Sequence, residues 1–304
     1  MTAAIETFGL TKTFGRTRAV ADLDLRVETG EVFGFLGPNG AGKTTTIRML
    51  LALHRPTSGR GAVLGMDCAA DSVAIHRRVG YLPGELALYP RMTGRRHIDW
   101  FARARGVRDL SLARELAGRF GAVLDRPARE LSTGNRQKIG LILAFMARPE
   151  LLVLDEPTTG LDPLMRSEFE LLVREVTAEG RTVFLSSHEL DEVQRLASRV
   201  AIIKDGRLVT TQTVDALRAS APSTMQVRFR QPVDPSAFAG LAGTTVTSSD
   251  GPQLGLEITG QIAPVLRLIA DHDPVDLTCR RAGLDELFLG FYRESRAPEA
   301  SRAR

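Results

Sequence analysis

Gly37-Pro38-Asn39-Gly40-Ala41-Gly42-Lys43-Thr44 fits G-x-x-x-x-G-K-[ST] at every fixed position, the pattern of a loop that cradles phosphate. Its glycines let backbone N–H groups converge on phosphate oxygens. The helix behind it turns its partially positive N-terminus to the same oxygens. Lys43 is expected to reach the β- and γ-phosphates, the Thr44 hydroxyl to hold Mg²⁺, and Thr45 to reach the α-phosphate. Such chemistry needs a second, acidic group. The apolar run Leu151-Leu152-Val153-Leu154 ends in Asp155-Glu156, and an unpaired charge at the end of a buried strand is costly. Asp155 is read as the metal-side acid. Glu156 is placed to orient or deprotonate water.

These residues need elements to hold them. Asp22–Glu28 alternates as a half-buried strand, Thr29-Gly30 turns, and Glu31–Leu36 is a short apolar strand running into the glycine loop. Thr44–Leu53 reads as a helix. Three more follow: one capped by Thr93 and ending before Gly106, one over Ser111–Phe120, one over Gly134–Ala147. Then strand and helix alternate. Leu151–Leu154 and Thr182–Leu185 are apolar strands, Asp162-Pro163 starts a helix ended by Gly180, and Asp205-Gly206 signals a hairpin within Val200–Thr210. The alternation predicts an α/β sheet. After Ala219–Ser223 the order is strand, helix, strand, strand, helix, strand, then a helix over Leu284–Arg293. This suits a small α+β, ferredoxin-like domain.

With these motifs in place, the chain resembles the ATPase subunit of an ABC transporter over about residues 4–218. Leu131-Ser132-Thr133-Gly134-Asn135-Arg136-Gln137-Lys138 is similar to the family's LSGGQ-type signature, with Thr for the first Gly and Asn for the Gln. Gly160-Leu161-Asp162 resembles the D-loop, and Ser186-Ser187-His188 ends a strand as the switch histidine does. Phe14 stands where the family places an adenine-stacking aromatic. The resemblance implies ATP as ligand with Mg²⁺, and two ATPase units closing head to tail over two ATP molecules. Ser132 and the N–H of Gly134 would bind the γ-phosphate held by the other unit, and His188 would contact the γ-phosphate in its own. One motif departs from the family. Gly80-Tyr81-Leu82-Pro83 continues with Gly84-Glu85, and the expected loop glutamine is absent. Either Glu85 substitutes beside the metal or the loop couples through other residues.

The resemblance implies an ATPase domain over residues 1–218, with a helical subdomain at about 86–148, and the element order beyond Ala219–Ser223 gives an accessory domain over 223–294. A disordered tail over 295–304 is expected. Wording and C-terminal extension look most like ATPases of ABC-2-type drug and antibiotic exporters. The extension serves dimerisation, regulation or packing. Composition fits a globular chain: of 304 residues, 43% are hydrophobic and 25% charged. The apolar run Ile139–Ala147 is far short of the ~18 residues a membrane span needs. The N-terminus lacks a signal-peptide pattern. The expected place is the cytoplasmic face of the membrane, driving a separate permease, with a homodimeric or related ATPase partner. Two distant cysteines, Cys68 and Cys279, argue against a disulfide framework or a cysteine zinc site.

The formal charge is +4, and Arg77–Arg129 holds twelve arginines against five acids. That excess faces the anionic membrane surface, faces an acidic patch on the permease, or is a plain solvated face. The alternative function is a non-transport ABC ATPase acting on nucleic acid or the ribosome, or a nucleotide-dependent scaffold. Chromosome-type members carry a long coiled coil between the nucleotide motifs, and no sustained heptads occur here. Translation-type members carry two motif sets, and this chain has one. No nucleic-acid partner is expected.

Overall fold

The computed structural model describes residues 3–219 and 222–281. The chain forms two compact units, Met1–Val214 and a second from Asp215 onward. The first opens with a long hairpin, β1 (Ala3–Phe14) and β2 (Thr17–Glu28), then β3 (Val32–Leu36) and α1 (Lys43–Leu50). Next come β4 (Ser58–Val63), β5 (Met66–Asp67), α2 (Ser72–Arg78) and β6 (Val79–Leu82). Three helices follow, α3 (Gly94–Arg105), α4 (Ser111–Arg119) and α5 (Thr133–Phe145). The chain returns through β7 (Leu151–Asp155), α6 (Pro163–Ala178), β8 (Thr182–Ser187), α7 (Leu190–Leu196) and the hairpin β9 (Arg199–Lys204), β10 (Arg207–Thr213). A short helix, α8 (Val214–Ala219), spans the unit boundary.

The main sheet has the order β10-β9-β3-β8-β7-β6. All its neighbours are parallel except β9 and β10. Strands buried on both faces read as continuous apolar runs, and β3, β7 and β8 are buried at every position. Register sets the site. Leu36 pairs with Ser187, and Asp155 pairs with Ser186. The carboxyl ends of β3, β7 and β8 therefore lie side by side, where parallel sheets bind ligands. A second sheet, β2-β1-β4-β5, is antiparallel. One core cluster joins Ile5 and Leu23 from it, Ile47 and Leu50 from α1, and Phe33, Val153 and Phe184 from the main sheet.

Local signals explain most boundaries. Thr93 caps α3 by accepting from Arg96 N, and Gly106 ends it in the left-handed region. Asp162 caps α6, with Pro163 at its first turn. Asp205 and Gly206 both take positive φ, 49° and 75°, as a tight hairpin turn requires. The helix expected over Thr44–Leu53 stops at Leu50, because Ala52 turns left-handed at φ 55° and leaves Leu53 exposed. The strand expected over Asp22–Glu28 begins at Thr17. β1, β4, β5, β6, α2, α7 and α8 have no counterpart in the sequence reading.

In the second unit, β11 (Ser223–Phe229), α9 (Ser236–Ala239), β12 (Thr244–Asp250), β13 (Gln253–Ile258), α10 (Ala263–Ala270) and β14 (Pro274–Arg281) follow in the expected βαββαβ order. The antiparallel sheet runs β12-β13-β11-β14, a ferredoxin-like topology. Phe229, Phe238, Leu256, Ile258, Val265 and Ile269 form its core. The helix expected over Leu284–Arg293 and the tail over 295–304 lie outside the described residues.

Candidate nucleotide site

The glycine loop leaves β3 and opens α1, so its geometry follows from the two elements. Gly42 sits at φ 106°, and a Cβ there would lie 2.5 Å from the Ala19 carbonyl oxygen; only glycine suits that position. Lys43 is 6% exposed, so its ammonium needs partners. It donates to the Gly37 carbonyl at 2.6 Å and the Pro38 carbonyl at 3.2 Å, and pairs with Glu156 Oε1 at 3.3 Å.

Asp155 is fully buried. Thr44 Oγ1 donates to its Oδ2 at 2.7 Å, and the Ser186 hydroxyl donates to its Oδ1. A Cβ on Gly84 would stand 3.3 Å from Oδ2, so the loop after β6 presses close to this carboxylate. Burial, with the Asp155 charge nearby, pushes the Tyr81 phenol above its ordinary range. Glu156 has φ 53°, a left-handed conformation that a non-glycine residue holds only under structural constraint. His188 Nδ1 lies within hydrogen-bond distance of its Oε2.

The resulting cleft has a volume of 550 Å³. Pro38, Asn39, Gly40, Gly42, Lys43, Thr44, Thr45, Glu85, Asp155, Glu156 and His188 line it. Gly37 and Ala41 are buried in the loop behind it. The other expected residues stand elsewhere. Phe14 is not in the cleft wall; it is 46% exposed, 5.5 Å from the His54 ring, with Lys12 Nζ 5.0 Å from its centroid. Ser132 caps α5 by accepting from Asn135 N at 3.2 Å, and is exposed. Gly134 lies against the D-loop region: a Cβ there would meet the Gly160 carbonyl oxygen at 2.6 Å. Neither lines the cleft.

Sequence reasoning missed several residues that hold the site. Ser186 fixes Asp155, and only strand register brings the two together. Gln137 is buried and donates to the carbonyls of Pro157 at 2.8 Å and Glu156 at 3.4 Å. A polar residue on a largely buried helix was the one available signal. Asn135, at the signature's departure from Gln, clamps the Val123 backbone through both its amide atoms.

Thr44 and Asp155 present hard oxygens side by side, which suits Mg²⁺. Among the described residues no cluster of three or more His, Cys, Asp or Glu could hold a metal by itself. A cation here must complete its shell with phosphate and water oxygens, as Mg²⁺ does.

Residues 20–159 match the family described as ABC transporter. The chain is 36% identical to the daunorubicin/doxorubicin resistance ATP-binding protein DrrA of Streptomyces peucetius, across 95% of this chain and 92% of that one. It is 37% identical to the bacitracin transport ATP-binding protein BcrA of Bacillus licheniformis, over 72% of each. Among solved structures, an ATP-binding subunit of an ABC transporter matches with TM-score 0.66 and 29% identity, covering 71% of this chain and 92% of that one. A dimeric ATP-binding cassette in a post-hydrolysis state, bound to ADP and Pi, shares the fold at TM-score 0.63 and 20% identity, over 69% of this chain and 98% of that one. No described helix is long and apolar enough to cross a membrane.

Proposed function

This chain belongs to the ABC transporter family as an ATP-binding, ATP-hydrolysing subunit, and from that premise we propose that it drives a separate membrane permease exporting a drug-like or other small amphiphilic compound. The observation that carries the reading is the meeting of Lys43, Thr44, Asp155, Glu156 and His188 on one cleft at the ends of three parallel strands. Lys43 and the loop N–H groups hold the β- and γ-phosphates, and Thr45 the α-phosphate. Thr44 and Asp155 would hold Mg²⁺, with Glu85 on the same cleft wall, and the bound ion would supply neutralisation of charge on the phosphate oxygens. Glu156 orients or deprotonates the attacking water, and His188 fixes the carboxylate while reaching toward the γ-phosphate. Phe14 supplies a half-exposed ring for the adenine.

Ser132 and Gly134 stand outside their own cleft, which supports service to the cleft of a second ATPase unit, identical or related, in a head-to-tail dimer. Residues 1–218 then act as the motor, and 223–294 as an accessory domain. The permease is assigned to an apolar groove of 720 Å³, lined by Leu51, Val73, Arg77, Tyr81, Trp100, Phe101 and Arg105. Trp100 is 48% exposed there, and the arginines suit an acidic partner surface at the cytoplasmic face of the membrane.

The test is purification from membranes, followed by ATP-driven transport of daunorubicin in inside-out vesicles. Co-purification of a polypeptide with several spans, and transport lost on Trp100→Ala or Arg77→Glu, are expected. ATPase activity stimulated by DNA or RNA, with no membrane partner, would overturn the proposal.

A further inference from the structure

Glu192 lies on α7 and is 2% exposed, yet no step above uses it. Its Oε2 stands 2.6 Å from Ser187 Oγ. Its Oε1 is buried and has no hydrogen-bond partner among the described residues. The Thr158 side chain, in the loop that follows Glu156, also faces the carboxyl. Glu192 therefore touches two loops at once. One carries Glu156; the other carries His188.

The protons around Ser187 can be counted. Its Oγ accepts from Glu189 N at 3.0 Å and has two acceptors in reach, Glu192 Oε2 and the Glu189 carbonyl at 3.2 Å. A hydroxyl owns one proton. If Glu192 is ionised, Ser187 can satisfy only one of the two, and the buried Oε1 keeps an uncompensated share of charge. If Glu192 is neutral, its O–H donates to Ser187 Oγ, and the serine proton goes to the Glu189 carbonyl. The neutral acid leaves fewer groups unsatisfied.

We infer that Glu192 is a positioning residue for hydrolysis: as a neutral acid it donates to Ser187 Oγ and ties the turn bearing His188 to the loop bearing Glu156. The inference rests on the assignment of those two residues to the hydrolytic step. Burial pushes the Glu192 carboxyl above the ordinary range, and the nearby Glu189 and Glu156 add to the rise, which the contacts with Ser187 and Thr158 offset in part. Arg166 pairs with Glu189, and Lys43 and His188 with Glu156.

The experiment compares Glu192→Gln, Glu192→Leu and Ser187→Ala in the full-length protein, reading kcat and KM for ATP with thermal melting. A glutamine amide N–H donates where the acid O–H did, so Glu192→Gln is expected to keep kcat within about twofold. Glu192→Leu and Ser187→Ala should each lower kcat about tenfold or more with KM nearly unchanged, because misplaced catalytic groups cost rate rather than binding. Ser187→Ala keeps the test open if the leucine variant does not fold. Loss in Glu192→Gln equal to that in Ser187→Ala would overturn the inference, as would wild-type kcat in Ser187→Ala. Glu156→Gln and His188→Ala belong in the same assay. If these lose activity and the Ser187 variant does not, only the positioning role fails; if these retain it, the hydrolytic assignment fails.

Discussion

Lys43 Nζ stands 3.3 Å from Glu156 Oε1, an ion pair between the first residue of α1 and the residue after β7. A γ-phosphate and this carboxylate compete for the same ammonium. Glu156→Gln removes the competitor and leaves the Gly37 and Pro38 contacts to Lys43. We expect ATP affinity equal to wild type or tighter, with turnover lower by about 100-fold or more, the usual weight of a positioned base. Equilibrium binding and steady-state hydrolysis measure the two, and gel filtration with ATP should show a trapped dimer. Wild-type turnover in this variant would remove Glu156 from the mechanism.

Lys43→Ala acts on the other partner. It deletes a charge-assisted contact worth about 1.5–3 kcal/mol, so ATP should bind at least about tenfold more weakly by titration calorimetry. The fold should persist, since the Gly42 and Thr46 backbone contacts that open α1 do not involve the lysine side chain. Unchanged affinity would contradict the phosphate-loop role.

Glu192 gives a pH dependence of stability with a definite sign. Burial raises its folded pKa above the ordinary carboxyl value of about 4.5, so above that pH the folded state holds a proton that the unfolded state has released. Stability therefore falls as pH rises from about 4.5 to the folded pKa, then levels. Glu192→Gln has no such proton to release. The difference in Tm, variant minus wild type, should grow between pH 4.5 and neutrality. A difference independent of pH would show that Glu192 titrates alike in both states.

The two cysteines should separate by reactivity. Burial pushes the Cys68 thiol up to about 12, whereas Cys279 is exposed. The thiolate is the reactive form. At pH 8 a thiol reagent should label Cys279 rapidly in the native protein and Cys68 only after denaturation. Mass spectrometry after digestion assigns the sites; rapid native labelling of Cys68 would mean that β4, β5 and α1 open readily around it.

The sequence by itself determined the phosphate loop, because eight adjacent residues carry its whole chemistry. It also determined the Asp155-Glu156 pair, because two acids closing an apolar run are hard to explain otherwise, and the ferredoxin-like order of the second unit, because each strand and helix there announces itself locally. Tertiary structure alone decided which side chains complete the site. Ser186 reaches Asp155 through parallel register between β7 and β8, and Thr44 reaches it across 111 positions of chain. Gln137 and Glu192 are polar residues whose partners belong to other elements, so no local spacing signals them. The same holds for β1 and β4, where burial does not follow residue polarity: Thr7 is buried while Phe8 is exposed, and Gly61 is buried beside exposed Arg60. Motifs of neighbouring residues survive in one dimension; contacts made by strand pairing and helix packing exist only once the chain has folded.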